Sequence, residues 1–151
     1  MKTNRISTTQ LASFICAALS LMIVILQFTP FWQVDGGAVS IASYIWFPTD
    51  NQELTTHLTG VLGDDYTINS IVLMPILQLV LGVCSVVLCL MKSDLPLVAL
   101  IPAAAGMVGI WGFLSKPAYR LGGNWVFQLI ICIVLTVFAL GSFVYNLKKE
   151  N

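Results

Sequence analysis

The chain has 151 residues, of which 58% are hydrophobic and only 9% charged, and its net charge is zero. A soluble domain carries about 25% charged residues, so this composition excludes an ordinary soluble enzyme, and zero net charge leaves no electrostatic footprint for nucleic acid. The length fits one domain.

No Asp, Glu, Lys, Arg or His lies between Ile6 and Val34, between Tyr66 and Met91, between Leu95 and Ser115, or between Leu121 and Leu147. Each stretch is long enough to cross a hydrocarbon core, which needs about 20 apolar residues. The pattern predicts helices over 8–29, 69–91, 95–114 and 124–146. The first stretch exceeds the h-region of a signal peptide, about 7–15 residues, and reads as a retained helix. Pro30 stops it, and Pro75 and Pro102 are positioned to bend the second and third helices. The expected fold class is an all-α membrane protein: an antiparallel bundle of four transmembrane helices in a single domain over 1–151.

The basic residues set an orientation. Lys2, Arg5, Lys92, Lys148 and Lys149 fall on one side of this arrangement, and Lys116 and Arg120 on the other. The excess predicts cytoplasmic termini and an external 31–68 segment. The short 92–94 and 115–123 connections make the second, third and fourth helices antiparallel neighbours.

Only the first connection is long enough to fold. It opens Phe31-Trp32-Gln33-Val34, turns at Asp35-Gly36-Gly37 and runs on to Phe47, with Val39, Ile41, Ser43 and Ile45 alternating with Ser40, Ala42, Tyr44 and Trp46. Asp-Gly supplies a tight turn, and the flanks suit strands. These features predict a small external β-hairpin. After Pro48, Asp50 with Glu53 makes a capping-box pattern. Leu54, Leu58, Val61 and Leu62 line one helical face. A short amphipathic helix is expected over 51–62, docked on the bundle.

This segment holds Asp35, Asp50, Glu53, Asp64 and Asp65 and no Lys or Arg. It reads as a solvated acidic surface with capping roles or, more sharply, as a docking face for a basic partner or a weak cation site. Asp50, Glu53, Asp64, Asp65 and Trp46 are the candidate docking residues. The spacing is not that of an EF-hand. His57, the single histidine, has no second His or Cys near it in sequence and reads as a surface side chain. Trp32, Trp46, Trp111 and Trp125 fall near the outer boundary, where aromatic belts form.

Within the spans the strongest polar groups are Gln27, Gln78 and Gln128. Gln78 and Gln128 are expected to bond between helices. Ion-coupled transport usually uses an intramembrane ionisable residue, and the spans carry none. Cys16, Cys84, Cys89 and Cys132 all fall inside the spans and read as small apolar side chains. Ala105, Gly106, Gly109 and Gly112 form a small-residue stripe on the third helix. Such stripes let backbones approach closely, either inside the bundle or against another subunit.

Four helices, cytoplasmic termini, a long first external loop with β-structure and a short second one resemble the claudin-like tetraspan architecture. At residue level the resemblance rests on Pro30-x-Trp32 and on Trp46. The paired loop cysteines of that family are absent, and Tyr44-Ile45-Trp46-Phe47 stands where its Gly-Leu-Trp motif would be. The resemblance therefore implies topology and no junction-forming role. Low charge, tight loops and the absence of external cysteines fit a prokaryotic cytoplasmic membrane.

No acid–base, metal or nucleotide constellation is visible, so no catalytic residue and no cofactor is expected. The expected role is association, as an accessory or scaffold subunit or a homo-oligomer, with lipid as surroundings. A small transporter or channel subunit with a path between protomers is the alternative. The orientation has a direct test. In a variant without native cysteines, Ser40→Cys should react with an impermeant maleimide in intact cells and Ser93→Cys should not. The reverse pattern inverts the topology.

Overall fold

A computed structural model describes residues 7–34, 37–40, 68–91, 96–114 and 124–150. Helix α1 spans Thr8–Leu26, α2 Ile68–Met91, α3 Leu100–Leu114 and α4 Trp125–Glu150. A 3-10 turn, Pro96–Ala99, leads into α3. Two strands, β1 (Pro30–Val34) and β2 (Gly37–Ser40), follow α1 and pair antiparallel. Their register steps between Pro30 and Trp32, which leaves one extra residue on β1 as a bulge. The expected 51–62 helix and the Asp35-Gly36 turn lie outside the described residues.

Local sequence explains the ends of the helices. Ser7 caps α1: its hydroxyl accepts from the Gln10 amide at 3.1 Å, and Gln10 Oε1 accepts from the Ser7 amide at 3.1 Å. This reciprocal pair satisfies two of the amides that a helix start leaves free. The expected third helix is interrupted near its start, since Pro96–Ala99 is a 3-10 turn and the α-helix begins at Leu100. Pro102 has no N–H to offer the Val98 carbonyl, so the segment before it takes the tighter 3-10 turn. Lys148 and Lys149 occupy the last turn of α4, where positive charge complements the helix dipole.

The helices pack as a ring in which α1 neighbours α2 and α4, and α3 neighbours α2 and α4. Neighbours run antiparallel. Thr9 meets Asn146 while Gln27 meets Gln128, and Gly106 faces Thr136 while Gly109 faces Cys132. The centre is built from small and medium side chains: Cys16, Ala17 and Ile23 on α1, Cys89 on α2, Ala103 on α3, and Ile131, Cys132, Leu135 and Ala139 on α4. Small residues are buried on both α1 and α2, Cys16, Ala17 and Ser20 on the first and Ser85 and Cys89 on the second. A methyl group on Gly82 would lie 2.9 Å from Val24 Cγ2, so the missing side chain sets how closely these two helices approach.

Among the described residues, three helices are long and apolar enough to cross a membrane: Thr8–Leu26, Leu73–Met91 and Trp125–Lys149. Only 28%, 22% and 28% of their most apolar windows are buried within the protein. The outward faces carry Leu11, Phe14, Ile25, Val80, Leu90, Ile130, Val137 and others. That much apolar surface needs lipid as its solvent, and the chain is a membrane protein.

Interior and lipid-facing positions should respond differently to truncation. Leu135 is 0% exposed and Val137 is 67% exposed. Leu135→Ala should cost about 2–5 kcal/mol through the cavity it leaves, read by reversible unfolding in mixed micelles. Val137→Ala should stay within about 0.5 kcal/mol.

Candidate functional site: a buried polar seam

Among the described residues, the buried polar side chains include three glutamines. Ser20, Gln27, Gln78, Ser85, Gln128, Thr136 and Asn146 are all buried. A polar group in hydrocarbon must find a partner, and most of these find one on another helix or on their own backbone.

The seam starts near Trp125, at the first turn of α4. Gln128 donates through Nε2 to the Leu26 carbonyl at 3.2 Å, and Gln27 donates through Nε2 to Gln128 Oε1 at 3.4 Å and to the Ile23 carbonyl at 3.2 Å. One turn further along α4, Gln78 of α2 donates to Cys132 Sγ at 3.0 Å. The Thr136 hydroxyl donates back to the Cys132 carbonyl at 2.7 Å, and Ser85 does the same to the Leu81 carbonyl at 2.6 Å. At the far end, the Thr9 hydroxyl donates to Asn146 Oδ1 at 3.2 Å. The Gln27–Gln128 and Thr9–Asn146 pairs hold α1 to α4 near both ends. Two buried oxygens among the described residues have no partner, Ser20 Oγ and Gln27 Oε1.

The glycine stripe of α3 closes onto this seam. A methyl group on Gly109 would lie 2.5 Å from both Cys132 Sγ and Gln78 Nε2. On Gly106 it would collide with Thr136 Oγ1 and approach the Cys132 carbonyl to 2.7 Å, and on Gly112 it would meet Met74 Cβ at 3.4 Å. Ala105 is fully buried. All four stripe residues thus sit in contacts within the bundle.

The external candidates Asp50, Glu53, Asp64, Asp65 and Trp46, with His57, lie outside the described residues. Trp111 is exposed, and Trp125 is half-buried at the start of α4. Among the described residues no three His, Cys, Asp or Glu side chains gather as a metal site. The four cysteines are free thiols, with Cys84 exposed and the others buried. Sequence reasoning names Gln78 and Gln128 as interhelical groups but not Gln27, whose place at the end of α1 hides its partner. Thr9–Asn146 also goes unnamed: single polar residues near helix ends carry no pairing signal. Comparison with known proteins adds nothing to this geometry: no family model, curated protein or solved structure matches the chain.

The seam makes a graded prediction. Gly109→Ala and Gly106→Ala should each cost about 1–3 kcal/mol by overpacking. A methyl group on Gly141 would meet nothing within 4 Å, so Gly141→Ala should be neutral or slightly stabilising. Thermal unfolding in detergent reads all three. Equal effects at Gly109 and Gly141 would contradict the packing described.

Proposed function

We propose that this chain is a non-enzymatic integral membrane protein of four spans that works by association. In this reading the bundle is a platform, and the 31–68 segment is what it presents to a partner subunit or to a second copy of the chain. The observation that carries the reading is the use made of polar side chains. Among the described residues, Gln27, Gln78, Gln128, Thr9 and Asn146 tie one helix to another, while the faces turned outward are apolar. The groups able to make directional contacts outside lipid are concentrated in the acidic, aromatic segment after α1.

Length supports the fourth span. The 15 residues of α3 and the four of its 3-10 turn rise together about 30 Å, the thickness of a hydrocarbon core. The basic residues favour cytoplasmic termini, and low charge, tight loops and the absence of cysteines from the connecting segments favour a prokaryotic cell membrane, in a layout similar to the claudin-like tetraspan proteins. The internal position of the α3 glycines moves the candidate association surface away from that helix and toward the external segment.

A small transporter or channel subunit is the second reading. One observation favours it: the buried oxygens Ser20 Oγ and Gln27 Oε1 have no partner. Both lie inside one bundle, so a path using them runs within a protomer and not between protomers.

Photo-crosslinking in native membranes separates the readings. Benzoylphenylalanine at Trp46 or Asp65 should give a discrete protein adduct, and at Val137 it should give none. With the probe at Trp46, replacing Asp50, Glu53, Asp64 and Asp65 with their amides should remove the adduct. Protein adducts at Val137 alone would sink the association reading.

A further inference from the structure

We propose that Gln27 and Gln128 form a two-position latch, which ties α4 either to the backbone of the last turn of α1 or to the Gln27 side chain alone. The latch thereby sets how tightly the root of the strand pair β1–β2 is held. Donors and acceptors are unevenly shared in this buried layer. The Leu26 carbonyl receives three donors: the Thr29 amide at 3.1 Å, the Thr29 hydroxyl at 2.7 Å and Gln128 Nε2 at 3.2 Å. A carbonyl oxygen has two lone pairs, so one donor is in excess. One residue along, Gln27 Oε1 is fully buried and receives none. An orphaned acceptor keeps the whole cost of its desolvation.

One movement relieves both faults. Gln27 is not free to turn its amide over, because its Nε2 donates to the Ile23 carbonyl at 3.2 Å, and an oxygen in that place would face an oxygen. Gln128 is free to turn. Its Oε1 already accepts from Gln27 Nε2 at 3.4 Å, which is half of a reciprocal amide pair. The last torsion of a glutamine side chain is soft. Concerted rotation of this torsion and the two before it, with Oε1 as the pivot, carries Gln128 Nε2 from the Leu26 carbonyl toward Gln27 Oε1 and closes the second half. Leu26 then keeps the two donors of Thr29 for its two lone pairs, and Gln27 Oε1 gains a donor.

The choice matters because of where Leu26 stands. α1 ends there, and the chain continues in a tight turn whose amides at Gln27, Phe28 and Thr29 bond back to Val24, Ile25 and Leu26. β1 starts at Pro30. With Gln128 on Leu26, the backbone of this turn is pinned to α4. With Gln128 on Gln27, only a side chain is pinned, and the turn can tilt while α1 and α4 stay joined. Any load on the strand pair selects between the two positions by its differential energy. The latch does not depend on the association reading, since its test uses the chain alone.

Hydrogen exchange of the full chain in nanodiscs, followed at the Phe28 and Thr29 amides, tests it. Gln27→Met deletes the second position and holds Gln128 on Leu26, so exchange should slow several-fold. Gln128→Met deletes both positions, so exchange should speed several-fold, and the double variant should match it. Unchanged or faster exchange in Gln27→Met overturns the latch, because a simple strut behaves that way. If Gln128→Met does not fold, nitrogen relaxation dispersion on the Gln128 side-chain amide decides. Two exchanging environments that Gln27→Met reduces to one support the latch, and a single environment in the wild-type chain overturns it.

Discussion

Much of this bundle depends on one absent methyl group. Gly109 brings α3 against the point where Gln78 of α2 meets Cys132 of α4. A side chain there would push three helices apart at once. In lipid, apolar surface gains little by leaving one hydrocarbon for another, so helices associate through close packing and hydrogen bonds. Both require short backbone distances. Gly106 against Thr136 repeats the device one turn along the α3–α4 seam, and Gly82 against Val24 repeats it between α1 and α2. The core is accordingly made of cysteine, alanine, serine and glycine with a few larger side chains, Ile23 and Leu135 among them.

Close approach also decides how the polar residues are used. A carboxamide inside a membrane has to make its hydrogen bonds with protein. Gln78 and Gln128 reach across the ring to other helices, while Ser85, Thr136 and Ser142 bond to the carbonyl four residues back on their own helix. The first kind of bond selects a partner helix, and the second only satisfies the hydroxyl. Among the described residues, Gln27, Gln78, Gln128 and the Thr9–Asn146 contact supply bonds of the first kind. α1 and α4 are far apart in sequence, and polar pairs near both ends set their register.

This division bears on function. A bundle whose α3 glycines face inward and whose outer faces are largely apolar offers a second protein few directional contacts within the membrane. In the proposed association reading, recognition would fall to the segment between α1 and α2, whose sequence holds acidic and aromatic residues. The Gln27–Gln128 layer lies where that segment leaves the bundle, and it joins the segment's root to the helix at the opposite end of the chain.

The sequence by itself determined that the chain enters a membrane and roughly where its helices lie, because long uncharged stretches have no stable place in water. It also marked Gln78 and Gln128 as interhelical groups, since an isolated amide in lipid has few alternatives. The capping box at Ser7 and Gln10 was present as a Ser-x-x-Gln pattern, hidden among other polar residues. Only the tertiary structure decided which way the α3 glycines face, because a stripe of small residues looks the same whether its neighbour is α4 or another subunit. Tertiary structure alone also paired Gln27 with Gln128 and Thr9 with Asn146. Such pairs depend on the relative height of two helices far apart in the chain, and height is set by packing across the whole bundle and not by any local pattern.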